Sequence, residues 1–346
     1  MKKSITIGLI CVLAVLGLTA CKKAASPQAG GATAKDMLGM IPKNVQGVVV
    51  IDVHRGMTLP FVENAIKKGK ENEKYQEFIK QSGIDPQKDV YFVVIGIART
   101  GKEGENSQAG AGIVNLKYDK AALLAKLKEM APDAKEEAYE GLTIYTTVQG
   151  EEKKPVSGAF LDDSNIVLGS DSEVKAVIDV VKKKAESVLK NPEIAGLIAK
   201  SKSAAILWSA FALPPDMMKD MAAKNPMMSS LESLNALLLS FDYSNKSLQV
   251  EITGMGGDAD KNKQIAEFLT GLKALGGMAS AKKPEVGDLM NKIAITSTQD
   301  SVSIKADLPE DLLTKLGATA EEQLKEKMAG GAPTEEKKQE KKEEKK

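Results

Sequence analysis

His54 is the chain's one histidine, so any imidazole chemistry must pass through it. Read as extended chain, Val48–Arg55 alternates so that Asp52 and His54 share one face and Ile51, Val53 and Arg55 the other. A carboxylate beside an imidazole is the acid/base pair a hydrolase would use. The plainer reading is two polar groups meeting water where a strand enters its loop. No Gly-x-Ser-x-Gly elbow supplies a nucleophile. Ser-x-x-Lys recurs at Ser172/Lys175, Ser187/Lys190 and Ser280/Lys283, as chance provides in a lysine-rich chain.

A lone histidine also excludes a multi-histidine metal centre. Asp162, Asp163 and Asp171 could gather into a carboxylate site, against the ordinary reading of a hairpin turn and a helix cap. Asp258-x-Asp260-x-Asn262 begins like a calcium loop. Lys263 then stands where glycine must turn the chain, and Leu269 where a bidentate glutamate must close it. Gly254-Met255-Gly256-Gly257 sits where a phosphate loop would, with neither the dinucleotide spacing nor a Gly-Lys-Ser/Thr ending. A turn closed by an Asp258 or Asp260 cap accounts for it. No cofactor and no metal are expected.

Methionine is the remaining unusual chemistry. Met217, Met218, Met221, Met227 and Met228 are five of the chain's fourteen. Thioethers at i,i+4 could bind Cu(I), but no histidine or repeated motif supports that use. Flexible core packing is the commoner role of methionine. Met227, Leu231 and Leu234 form an i, i+4, i+7 stripe that reads as core. Met217, Met218 and Met221 precede the Pro226 break. They are expected to be partly exposed and to form an adaptable surface for a lipid, peptide or protein partner.

Composition narrows the partners. Lys+Arg 48 against Asp+Glu 47 gives a net charge of +1, with only two arginines. Seven Phe, six Tyr and one Trp offer few platforms on which bases could stack. Nucleic-acid binding is therefore not expected. The 42% hydrophobic and 27% charged content is that of an ordinary folded chain.

At the N-terminus, Lys2 and Lys3 precede an apolar run from Ile5 to Leu18, the pattern of an export signal over residues 1–20. Leu18-Thr19-Ala20-Cys21 resembles the lipobox of bacterial lipoproteins. The resemblance implies cleavage before Cys21, diacylglyceryl attachment to its thiol, acylation of the new amine, and a membrane anchor at Cys21. Cys11 would leave with the signal, so the mature chain would hold no thiol for a disulfide. Lys22, in place of an aspartate, favours the outer membrane, with the protein facing the periplasm. Residues 21–35 read as the lipidated cysteine and a flexible tether. Residues 328–346, ending TEEKKQEKKEEKK, read as a disordered Lys/Glu tail.

Between these ends lies an internal duplication. The segment from Asp36 aligns with that from Glu193, with Gly39/Gly196, Ile41/Ile198 and Lys43/Lys200 identical. Each segment leads into an apolar, β-branched strand, Gly47–Val53 and Ala204–Ala212. In the first half a helical stretch over 61–82 follows. Strands are expected at 90–98, 111–116, 142–148, 157–161 and 166–169, and helices at 120–131 and 173–189. The second half repeats the order with helices at 215–233 and 262–275, strands at 236–243, 247–253, 292–298 and 302–308, and a closing helix opened by Pro309, lacking one strand of the closing hairpin. Short turns require antiparallel pairing. The expected fold is α+β: two tandem related halves, residues 36–190 and 191–327, each a mainly antiparallel sheet covered by helices on corresponding faces. This order, with the Ile41-Pro42-Lys43 entry to the first strand, resembles tandem-repeat envelope lipoproteins of the domain-of-unknown-function kind over about 36–316. The expectation for function is a non-enzymatic, lipid-anchored envelope protein that binds a partner protein or an apolar ligand. The alternative is an envelope hydrolase built on Asp52/His54 or on the carboxylates.

Overall fold

The computed structural model describes residues 33–63, 66, 73–99, 108–149, 154–224, 226–279, 284–317 and 319. The signal, Cys21 and nearly all of the tether, and the tail over 328–346, lie outside the described residues.

The β-branched and apolar runs form strands β1 Gly47–Asp52, β2 Val90–Arg99, β3 Gln108–Leu116, β4 Lys135–Tyr139, β5 Leu142–Gln149, β6 Lys154–Phe160 and β7 Asn165–Gly169 in the first half. The second half holds β8 Leu207–Ala212, β9 Leu234–Ser244, β10 Ser247–Gly256, β11 Ile293–Ser297 and β12 Ser301–Pro309. The helices are α1 Ala34–Leu38, α2 Val53–Met57, α3 Glu73–Ser82, α4 Pro86–Asp89, α5 Lys120–Met130, α6 Asp171–Val181, α7 Pro192–Lys200, α8 Pro215–Lys224, α9 Ala259–Ala279 and α10 Pro284–Asn291. Residues 310–317 are helical as well. No described helix is long and apolar enough to cross a membrane.

All the strands join one antiparallel sheet in the order β11-β12-β10-β9-β8-β1-β2-β3-β7-β6-β5-β4. The halves meet where β1 pairs with β8, Val48 opposite Ala210 and Val50 opposite Trp208. Read outward from that joint, each half runs as a three-strand meander followed by a strand from the next hairpin. The second half lacks two strands, not one, because β4 was not foreseen. At the joint the Phe211 ring lies where a Cβ on Gly47 would sit, so only glycine lets that ring cross β1.

Pleating sends alternate residues to two faces. On the front face, Val48, Val50, Val94, Ile113, Val167, Trp208 and Ala210 form one buried core with Met37 and Leu38 of α1, Val177 and Ile178 of α6, and Ile194 of α7. On the back face, Ile51, Val93 and Val114 pack against Leu123 of α5. Further along that face, Leu234 and Val302 pack against Met218 of α8 and Ile265 of α9.

Helices α1 and α7, which open the two segments aligned above, cover the front in both halves, and α5 and α9 cover the back. The closing helices depart from this correspondence. Helix α6 lies on the front, whereas Leu312 of 310–317 packs with Leu248 and Leu308 on the back. The front of the outer second half explains the change. Glu251 there binds Lys202 and Lys305, and Thr253 bonds Ser303, so no apolar stripe remains for a helix to cover.

Element ends also shift for local reasons. Helix α1 begins inside the stretch read as tether, because Thr33 and Asp36 form a reciprocal capping box. Helix α6 stops at Val181, well short of Leu189, and is capped by Ser170 accepting from the Glu173 N–H. Hairpin β4–β5 turns through Glu140 (φ 50°) and Gly141 (φ 77°), and β9–β10 through Asn245 (φ 52°) and Lys246 (φ 59°). Two successive positive φ values are the type I′ geometry that matches strand twist.

Candidate functional site

Asp52 and His54 do not share a strand face. Asp52 ends β1 and caps α2, its carboxylate accepting the Arg55 backbone N–H at 2.9 Å, and His54 lies in the first turn of that helix. An aspartate placed to accept from the third residue on turns the chain into a helix. Burial pushes the Asp52 carboxyl above the usual carboxylate range, opposed in part by the Arg55 N–H and guanidinium. His54 stacks on Tyr91 with ring centroids 5.6 Å apart, and its Nδ1 has no hydrogen-bond partner among the described residues. Arg55 reaches across the joint to the Ala204 carbonyl at 2.7 Å and to Asp242 at 3.1 Å. The cluster fastens α2 to the second half.

Of the three carboxylates, Asp162 and Asp171 are also occupied, and Asp163 is exposed. Asp162 accepts the N–H groups of Ser164 and Asn165, both at 2.8 Å, in the turn before β7. Asp171 pairs with Lys175 at 2.9 Å. Lys175 is held charged, its pKa raised by hydrogen bonds first to Glu137 and then to Asp171. Asp258 accepts the Lys261 N–H at 2.9 Å at the start of α9, after Gly256 and Gly257 turn at positive φ. Among the described residues no group of three or more His, Cys, Asp or Glu could hold a metal ion.

The methionine surface is divided. Met217 is 41% exposed, but Met218 is only 5% exposed and packs with Leu234, Ile265 and Val302. Consecutive residues of a helix point about 100° apart, so one of the pair turned inward when α8 docked. The Met221 side chain lies outside the described residues. The expectation that Met217, Met218 and Met221 are exposed together is therefore corrected at Met218.

A concentration of open apolar surface lies elsewhere among the described residues. On the back of the first half, a cavity of ≈ 160 Å³ lies between the sheet and α5. Its floor is Val93, Val114, Ile166 and Leu168 from β2, β3 and β7, with Val156 and Phe160 of β6 and Tyr145 and Thr147 of β5. Val53 and Met57 of α2 and Phe78, Gln81 and Ser82 of α3 contribute the walls. Helix α5 brings Leu123, Lys126, Leu127 and Met130 over it. These follow i, i+3, i+4, i+7, one helix face.

Yet no residue of α5 is buried, and Met130 is 37% exposed. The helix rests over an opening that its own side chains leave unfilled. Phe160 stands against Tyr118 and Tyr145, at centroid distances of 5.5 and 6.1 Å, with the Lys120 ammonium 5.3 Å from its ring centre. The Tyr118 phenol is pushed up to about 12, first by burial and then by Asp162 and Asp163, so it is neutral.

An apolar cavity of roughly 150 Å³ stays dry and accepts a benzene-sized guest. The arrangement is suited to taking up hydrocarbon, and among the described residues its lining holds no histidine or carboxylate. Sequence reading foresaw helix 120–131 but not the cavity beneath it. The signal was the Leu123/Leu127/Met130 stripe on a helix otherwise rich in alanine and lysine.

Comparison with known proteins bears on family. Residues 103–301 match the family described as protein of unknown function (DUF3352), a span crossing the joint between the halves. Within the resemblance drawn over 36–316, the matched part is this domain. No curated protein matches in sequence. Crystal form III of TP0453 is similar at a TM-score of 0.47 and 12% identity, covering 86% of this chain and 100% of that one. Crystal form I is similar at a TM-score of 0.44 and 13% identity, covering 81% and 96%. With more than half of its length inside the family match, the chain belongs to the DUF3352 family.

Proposed function

We propose that this chain is a non-enzymatic, lipid-anchored envelope protein that holds an apolar ligand in the cavity beneath α5. The cavity carries the proposal: its floor and walls are almost wholly hydrocarbon, and the helix above it buries none of its own residues. Leaving such surface open to water is unfavourable by about 25 cal/mol per Å², and a ligand that covers it recovers that energy. The polar clusters support the non-enzymatic part, since Asp52, Arg55, Asp162 and Asp171 are each engaged in caps, turns or ion pairs.

Val156 lines the cavity and is half-buried, so a larger side chain there can occupy the space without breaking the core. Val156→Trp is expected to weaken binding of the fluorescent probe N-phenyl-naphthylamine by at least about ten-fold, with an unchanged unfolding midpoint. Equal probe binding by the variant and the parent protein would remove the cavity from consideration.

Anchoring rests on Leu18-Thr19-Ala20-Cys21. Several acyl chains hold a protein more firmly than one, at about 0.8 kcal/mol per buried CH₂. Cys21→Ala is expected to abolish incorporation of labelled palmitate and to leave an unprocessed precursor. Normal labelling of that variant would rule out the anchor.

A further inference from the structure

Resting on the cavity reading above, we infer that the ligand is a single-chain amphiphile with one carboxylate head, a long-chain fatty acid, with its head beside Lys126. Among the described residues that line the cavity, Lys126 alone carries a charge, and none is an acid. Gln81, Ser82 and Thr147 are polar but neutral.

Lys126 stands on α5 between Leu123 and Leu127, so its stem joins the apolar stripe. Its side chain is 41% exposed, which keeps the ammonium in water at the rim, the disposition by which long cationic side chains cover apolar surface. The ammonium pairs with Glu129 at 3.1 Å, three residues on along the helix. Exposed pairs of this kind contribute about 0–1 kcal/mol, so an incoming anion can share or displace Glu129. Lys120, over the face of Phe160, adds a second cation close to the cavity.

These observations set the ligand's form. A carbon-walled space takes the chain, while the head stays at the solvated rim and avoids the cost of burying a charge. The ≈ 160 Å³ space takes only part of one chain, the remainder lying along its open mouth, and leaves no room for a second. A two-chain lipid would leave its second chain in water. With Glu129 displaced from Lys126 and Lys120 nearby, the positive rim favours an anionic head over a zwitterionic or cationic one.

The experiment is displacement of bound N-phenyl-naphthylamine by dodecanoate, dodecanol or dodecyl phosphate from the parent protein, Lys126→Met and Lys126→Arg. Dodecanoate is expected to displace the probe about ten-fold more effectively than dodecanol from the parent protein. Lys126→Met should erase that advantage without altering dodecanol, and Lys126→Arg should retain it. Equal displacement by dodecanoate and dodecanol, or a dodecanoate advantage that survives Lys126→Met, would overturn the assignment while leaving the cavity as a hydrocarbon site. Stronger displacement by dodecyl phosphate than by dodecanoate, lost in Lys126→Met, would overturn the carboxylate head in favour of a phosphate. Failure of the probe itself to bind the parent protein would overturn both this assignment and the cavity reading.

Discussion

Replacing Trp208 with alanine is expected to destabilise the protein by about 3–5 kcal/mol, the range for removing a buried aromatic ring. Trp208 is the chain's one tryptophan and is 2% exposed. It stands on β8 with Val50 of β1 opposite on one side and Ser240 of β9 on the other. The front-face core that contains it draws on α1 and α6 from the first half and α7 from the second. Because β8 is bonded along both edges, the backbone cannot move in to fill the space, and the cavity cost adds to the lost burial. Urea unfolding followed by circular dichroism would measure the change as a lower midpoint at an unchanged slope. A loss below about 1 kcal/mol would mean that the joint is not the shared core described here.

The second large effect comes from a contrast between helices on opposite faces. Ile178 of α6 is fully buried against the front of the sheet. Ile178→Ala is expected to cost about 2–5 kcal/mol. Leu127 of α5 is only half-buried over the back-face cavity. Leu127→Ala is expected to cost less than about 1 kcal/mol, because its methyl groups already meet solvent or empty space. The same unfolding experiment compares the two. If Leu127→Ala proved as damaging as Ile178→Ala, α5 would be a structural cover, and the argument for a ligand beneath it would fail.

The legible parts of the fold were those where residue type and spacing agree. β1 reads as GVVVID and β2 as VYFVVIGIAR, so their apolar, β-branched character survives any neighbour. β4, KEEAY, was missed because it is an edge strand with charged side chains on both faces, as solvent-facing edges often are. Its one local sign was the glycine after Glu140, which permits the tight turn into β5. His54 was misplaced for a related reason: the extended pattern of Val48–Val53 was continued past Asp52, whose capping role ends the strand.

The candidate site was less legible because no single segment contains it. Val53, Phe78, Leu127, Val156 and Leu168 come from five separate elements, and each alone reads as ordinary core. What makes a cavity of them is that α5 stops short of full contact, a property of packing and not of composition. The methionine segment drew attention by its density, yet Met218 followed the commoner use of its side chain.

The adjacency of β1 and β8 sets an order of events for a growing chain. β1 spans residues 47–52, and its neighbour on the second-half side spans 207–212. Until that later segment has been made, the Val48-Val49-Val50-Ile51 backbone lacks a partner along one entire edge. An apolar, β-branched edge is a template for pairing with other chains. A pairing between segments so distant in sequence is also slow to close. The middle of the finished sheet thus stays open until β8 has been made, and a chain shortened before Leu207 would carry this apolar strand with one edge uncovered.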